Sequence, residues 1–422
     1  MAGNVESIRL PNGVRIVTRR MPHVCSIAMG VWVDVGARDE AAADSGLSHV
    51  IEHMIFKGTE RRSAYQIAKA FDAIGGHTNA FTSLETTCYH AKVVDAHQET
   101  MVDLLADIFL HSTFSPPEIE RERTVILQEI RMVEDSPEDL AHILACADLW
   151  GEHPLGRSIL GTPENLATFD QKRIQGFFHR NYRPERIVIA AAGNLDHDRI
   201  RDLLAPAFGA LPSGDTATPP RQVPAARSPI QVVPRPLEQV HLCLTGPALS
   251  VADERRYAFS LLNSILGGNM SSRLFQAIRE QHGLAYSVYS FVSAFTDSGM
   301  IGVYAAVAPE NTRETLARIA AEIRRLAETP VGAQRLADAK AFTKGSLLLS
   351  AESNENQMMR LAQNEIYMGR FIPMSEVTER IDAVRAAEIQ DLAARLLDPG
   401  RLALTALGPV PAGAVDGAWW QQ

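Results

Sequence analysis

Cysteine is scarce in this chain of 422 residues: Cys25, Cys88, Cys146 and Cys243 are far apart, sit among apolar neighbours and form no C-x-x-C pair. A disulfide scaffold and a cysteine metal cluster are excluded, and the thiols read as small buried hydrophobes. Positive charge is also short, with 41 Lys and Arg against 50 Asp and Glu, a net charge of −9 and no basic run. Phosphate binding rests on Lys and Arg, so no nucleic-acid partner is expected. No apolar stretch reaches the length of a membrane span, and residues 1–13 lack the apolar core of a signal peptide, so the expectation is a cytoplasmic protein with no membrane span. What remains is long enough for two or three domains with ample core for each.

The feature that stands out is His49-Val50-Ile51-Glu52-His53. On a helix, residues i and i+4 share a face with i+3 beside them, so His49 and His53 can aim two imidazoles at one point next to Glu52. Two imidazoles suit zinc, and a carboxylate beside a metal without ligating it can take a proton from an activated water. This order, H-x-x-E-H, is the inverzincin signature. Val50, Ile51, Met54, Ile55 and Phe56 make the helix a mostly buried one, in which a charged Glu needs a reason. The bland alternative is a core helix with two hydrogen-bonded histidines.

Around the motif the chain reads as α+β. Ser7 to Arg19 predicts two strands about an Asn12-Gly13 turn, and Ser26 to Val35 a third. Ser63 caps a helix that ends at Gly75-Gly76, and Thr78 to Val93 predicts strand, turn, strand. Pro116 to Met132 predicts a long helix on which Glu122 and Glu129 lie two turns apart on one face. Catalytic zinc keeps three protein ligands plus water, so one of these carboxylates can complete the set, although a solvated face is the ordinary role for such a Glu. Glu134, Asp135, Glu138 and Asp139 follow, and Ser136 opens a further helix whose capping accounts for its acids.

From Pro212 to Pro236 the chain is rich in Pro, Ser and Thr with little periodicity, as a linker is. Beyond it the chain repeats itself. Pro184, Arg186 and Gly193 recur as Pro399, Arg401 and Gly408, and Ile174-Gln175 as Ile389-Gln390, all 215 residues further on. Two homologous α+β domains are therefore expected, 1–215 and 237–422 joined by a linker at 216–236, each a mostly antiparallel sheet packed with helices. An overlay ending at Gly58 and Gly268 sets Phe259, Leu262 and Asn263 against His49, Glu52 and His53, so the second copy has no metal ligands. It carries instead Arg279, a fixed cation, and Tyr286, a neutral donor, types that hold a carbonyl oxygen as it gains charge. From composition alone an ion-paired Arg and a half-buried Tyr are the favoured reading, since such pairs are common on any surface.

Taken together, the H-x-x-E-H motif, Gly75-Gly76, Asn79-Ala80-Phe81-Thr82-Ser83, Leu127-Gln128-Glu129-Ile130, His153-Pro154-Leu155-Gly156 and the Arg279 and Tyr286 segment resemble the pitrilysin and mitochondrial-processing-peptidase family of inverzincins over nearly the whole chain. The resemblance implies one zinc per chain on His49, His53 and Glu129, Glu52 as general base and Glu122 as a supporting acid. It implies that Asn79, Ala80 and Phe81 pair with an extended peptide substrate, and that Arg279 and Tyr286 contact its carbonyl. It also implies a homodimer around a closed chamber, the second domain of one subunit facing the zinc of the other. The expected function is a zinc endopeptidase. A non-catalytic scaffold subunit and a presequence-processing peptidase, which the acids at 134–139 would suit, are the alternatives.

Overall fold

The computed structural model describes residues 5–213 and 220–415; residues 1–4, 214–219 and 416–422, which include the start of the expected linker and the outer ends of the expected domains, lie outside the described residues. The fold is α+β. Its strands are β1 (Val5–Arg9), β2 (Arg15–Arg20), β3 (Ser26–Val33), β4 (His77–Thr82), β5 (Thr87–Val94), β6 (Ile187–Gly193), β7 (Ile230–Val233), β8 (Val240–Ala248), β9 (Ala285–Ala294), β10 (Gly299–Val307) and β11 (Ala403–Leu407). The helices of the first half are α1 (Leu47–Met54), α2 (Ala64–Ala73), α3 (Gln98–His111), α4 (Pro116–Glu134), α5 (Pro137–Trp150), α6 (Pro163–Leu166), α7 (Gln171–Asn181) and α8 (His197–Phe208). Those of the second are α9 (Arg256–Leu266), α10 (Thr312–Glu328), α11 (Ala333–Ser350), α12 (Asn354–Met368), α13 (Met374–Ala383) and α14 (Ala386–Leu396).

Two sheets form, in the orders β1-β2-β6-β3-β5-β4 and β7-β11-β8-β10-β9. Each has a single parallel pair, β2 with β6 and β7 with β11, and is otherwise antiparallel. The strand β7 falls inside the stretch read as linker. Three of its four residues are exposed, so it has little apolar signature; among the described strands it pairs with β11 only, and Val233 packs on the cluster around Tyr304 and Leu407.

The 215-residue repeat is structural. The helices α7 and α14 begin and end 215 residues apart, and each leads through a Pro-initiated 3-10 turn, Pro184–Arg186 or Pro399–Arg401, into a buried strand. Gly193 and Gly408 end those strands at φ +143° and +128°. A Cβ on Gly193 would lie 2.1 Å from the carbonyl oxygen of Ser26, and one on Gly408 2.5 Å from that of Gln239. Both turns thus require glycine for the same two reasons, a left-sided backbone and no room for a side chain.

The compact units are not the contiguous stretches 1–215 and 237–422. One comprises Met1–Ile130, Ser158–Arg221 and Leu349–Ile372, the other Arg131–Arg157, Gln222–Leu348 and Pro373–Gln422. The cause lies in strands that are apolar on both faces. In β3, Ile27, Met29, Val31 and Val33 face one core, with α1, α3 and α8, while Ala28 and Trp32 face a second that includes Met358, Leu361 and Ala362 of α12. Small residues on that second face, Ala190 and Ala192 among them, let α12 lie close, with Trp32 Nε1 donating to Met358 Sδ at 3.4 Å. The second sheet is covered likewise by α5 from the first half, through Ala141, Leu140 and Leu144 against Tyr304, Ala306 and Leu407. Each repeat therefore gives one helix to the other's sheet.

Replacing Gly193 or Gly408 by Ala is expected to destabilise the unit that carries it by about 2 kcal/mol or more, from strain and crowding together. Urea unfolding of each variant measures the loss, and an unchanged midpoint would show that these turns yield without cost.

Candidate metal centre

The helix α1 starts at Gly46, whose φ of +101° turns the chain sharply into it, and it buries Leu47, Val50, Ile51 and Met54. Those contacts fix its rotation, and with it the direction of His49 and His53. The helix α4 buries Ile119, Glu122, Ile126 and Ile130 along one stripe, which brings Glu122 and Glu129 round to α1. The Nε2 atoms of His49 and His53 each lie 3.5 Å from Glu129 Oε2. The ligand atoms of these three residues lie within 4.8 Å of one another, the one such group of three among the described residues. Two imidazole nitrogens and one carboxylate oxygen, leaving a position open, fit catalytic zinc.

Glu122 stands behind the trio. Its Oε2 lies 3.0 Å from His53 Nδ1 and its Oε1 2.7 Å from Lys57 Nζ, and the carboxylate is buried. A carboxylate on the far nitrogen of a ligand histidine fixes the tautomer and the ring plane. Sequence pattern left Glu122 and Glu129 equivalent; the structure separates them, one facing Nδ1 and the other both Nε2 atoms. Lys57 went unnoticed because a lone Lys after a helix has no distinguishing pattern. His49 lacks such support, since its Nδ1 is buried with no hydrogen-bond partner.

The electrostatics follow from this asymmetry. Burial, then His53, push His49 down to about 4, with Glu129 pulling the other way, so His49 is a neutral imidazole at ordinary pH. Burial also lowers His53, but hydrogen bonds and charge from Glu129 and Glu122 outweigh it and leave it raised. The hydrogen bond from His53 holds Glu129 below the usual carboxylate range. Two carboxylates about two imidazoles favour a cation here, and a metal bound by these nitrogens would compete with protons for them.

Glu52 is not part of the trio. Burial raises its carboxyl, with Thr82 opposing through a hydrogen bond and His53 through its charge. Thr82 ends β4, whose residues Asn79, Ala80 and Phe81 form the outer edge of the first sheet, paired with His90, Tyr89 and Cys88 of β5 on one side only. Thr82 Oγ1 also donates to the carbonyl of Ser48 at 3.4 Å. An unpaired strand edge therefore runs beside the motif helix.

Arg279 and Tyr286 belong to the second unit. Arg279 lies on a single π-helical turn, Phe275–Glu280, with its guanidinium 4.4 Å from the centre of the Tyr286 ring and 4.8 Å from that of Phe275; its Nη1 donates to the Tyr286 carbonyl at 3.0 Å. Tyr286 is 80% exposed rather than half-buried. The stacking makes the pair one unit that presents a phenol to solvent. At the motif's counterpart in α9, Phe259 and Leu262 are buried and Asn263 accepts a hydrogen bond from Ser290 at 2.7 Å. Of the acids at 134–139, Ser136 caps α5 and Glu138 accepts from Tyr289 at 2.6 Å. Among the described residues no helix is long and apolar enough to cross a membrane.

Comparison with known proteins identifies the family and the fold. Residues 15–163 match the family described as insulinase (peptidase family M16), and residues 168–342 the peptidase M16 inactive domain. The chain is 42% identical over 385 residues to the uncharacterized zinc protease YmxG of Bacillus subtilis, covering 91% of this chain and 94% of that protein. It is 39% identical to the uncharacterized zinc protease ML0855 of Mycobacterium leprae, covering 95% and 91%. In fold it resembles a peptidase M16 inactive domain from Pseudomonas fluorescens (TM-score 0.91, 21% identity, 97% and 99% covered). A protease from Helicobacter pylori is similar to the same degree (TM-score 0.91, 20% identity, 97% and 100% covered).

Glu122→Gln is expected to weaken zinc binding about 10–100-fold, the usual effect of removing a carboxylate behind a ligand histidine. Competition with a chelator of known affinity measures it, and an unchanged constant would reduce Glu122 to a partner of Lys57.

Proposed function

The chain belongs to peptidase family M16, and we propose that it is a zinc-dependent endopeptidase that cleaves peptides or small unfolded polypeptides, with Glu52 as general base. The observation that carries the proposal is the convergence of His49, His53 and Glu129 beside a half-buried carboxylate, Glu52, that is not one of the three. The relatives named zinc proteases support both the metal and the reaction.

Zinc, when bound by His49, His53 and Glu129, supplies a Lewis acid that acidifies water and polarises a carbonyl. Glu52 takes the proton from the attacking water and returns it to the leaving amine. Its partial burial suits the task, because a carboxylate partly withdrawn from water is a stronger base than an exposed one. The edge of β4 at Asn79, Ala80 and Phe81 binds the substrate as an added strand, gripping backbone and leaving side chains free. Arg279 and Tyr286 donate to the carbonyl oxygen as negative charge gathers on it.

The family resemblance supports a homodimer around a closed chamber, in which Arg279 and Tyr286 serve the zinc site of the partner subunit. A chain that carries both the metal motif and the Arg and Tyr pair needs no unlike partner.

Glu52→Gln is expected to retain zinc and to cleave a mixed peptide set about 100-fold more slowly or worse. Mass spectrometry of the digests decides, since near-normal turnover in this variant would remove Glu52 from the mechanism. A shared site makes a second prediction. Mixing inactive Glu52→Gln chains with inactive Arg279→Ala chains should restore part of the activity, whereas verified mixed dimers that stay inactive would place the pair's action within one chain.

A further inference from the structure

Glu40 is a carboxylate only 3% exposed, and neither the metal set nor the proposed chemistry uses it. Its Oε2 accepts from the backbone N–H of Gly46 at 2.7 Å and its Oε1 from that of Ser48 at 2.6 Å. These are amides of the first turn of α1, which have no partner within the helix itself. Burial raises the Glu40 carboxyl to about 7, against the pull of those two amides.

The segment that carries Glu40 is itself tied down. Ala37 N donates to the carbonyl of Ser83 at 3.1 Å and Arg38 N to that of Leu84 at 2.7 Å, while Arg38 Nη1 meets Glu85 Oε1 at 2.6 Å. Ser83, Leu84 and Glu85 form the turn between β4 and β5. On the other side of the helix start, Gly46 packs so closely on Gly161 that a Cβ on it would lie 2.9 Å from the Gly161 Cα. A chain of short hydrogen bonds thus runs from the β4–β5 turn through residues 37–40 to the first turn of α1.

What the first turn holds is His49, next in sequence to Ser48. Glu122 orients the ring of His53 directly, but His49 Nδ1 has no partner, so the His49 ring takes its direction from the helix backbone and the packing around it. We propose that Glu40 is a positioning residue: its carboxylate locks the start of the motif helix to the β4–β5 turn, and so sets where His49 points and how Glu52 stands to the strand edge. Its kinetic consequence rests on the zinc-peptidase reading; its effect on metal binding does not.

The test replaces Glu40 by Gln, whose amide must turn an N–H towards one of the two backbone donors, and by Asp, which keeps both acceptors on a shorter arm. Leu204→Ala, a cavity in α8 of the same unit, serves as the control for lost stability alone. Zinc affinity is read by chelator competition, and kcat and KM on a peptide substrate at saturating zinc, well below each variant's unfolding temperature. Glu40→Gln is expected to weaken zinc about tenfold or more and to lower kcat with KM changed by less than about twofold, with Glu40→Asp intermediate and Leu204→Ala near wild type. Unchanged zinc affinity and kcat in Glu40→Gln, or equal losses in Leu204→Ala, would overturn the proposal. Should Glu40→Gln not fold, Glu40→Asp against Leu204→Ala decides by the same criteria. A wild type that cleaves nothing, beside a Glu40→Gln variant that binds zinc more weakly, would refute the peptidase reading and leave the positioning role standing.

Discussion

A sheet that is apolar on both faces has to be covered twice, and the architecture follows from that. Val31 and Trp32 are neighbours in β3, both buried, facing opposite cores. A strand of this kind in an antiparallel sheet cannot present one side to water. The first sheet spends one face on α1, α3 and α8 and needs a further helix for the other. The chain supplies it as α12, from the far half of the sequence, and the second sheet receives α5 in return. The motif helix can be short because it is held on a sheet whose other side is already closed.

Duplication allows the two sheets to differ in what their helices carry. Ionisable groups that converge in one place desolvate or repel one another unless a cation joins them, as the low His49 of the trio and the raised Glu52 beside it illustrate. That arrangement is worth keeping only where it functions. In the corresponding helix α9 the positions are taken by buried Phe259 and Leu262 and by a hydrogen-bonded Asn263, which pack at no such cost. The repeat survives where backbone geometry demands it, at Gly193 and Gly408, and diverges where chemistry differs.

Much of this was legible in the sequence, for identifiable reasons. The strands about Gly13, the helix capped by Ser63, the long helix from Pro116 and the repeat all rest on local pattern or identity, and the structure has them. The convergence of His49 with His53 is dictated by helical spacing. The choice of Glu129 over Glu122 was not, because both lie on one face of α4 and only the docking of α4 on α1 tells them apart. The exchange of α5 and α12 was invisible, since an apolar helix face does not state which sheet it covers. The strand β7 was missed because its residues are mostly exposed, and Glu40 because a buried acid among residues of small volume reads as loop.

The edge of β4 poses a physical problem of its own. An open strand edge invites pairing with any passing chain, and proteins ordinarily blunt it. Here Asn79 does so locally: its Oδ1 accepts from the N–H of Ala80 at 2.9 Å, which removes that donor from the exposed edge without pairing it to another strand. On the proposed function, a peptide that adds to β4 would have to displace this side chain, exchanging one hydrogen bond for another, so the first bond would bring little net gain and a lasting grip would require several in register. On the proposed function, a backbone-reading edge protected in this way admits extended polypeptide of almost any sequence while rejecting brief encounters, and breadth of specificity and protection from aggregation then come from the same residue.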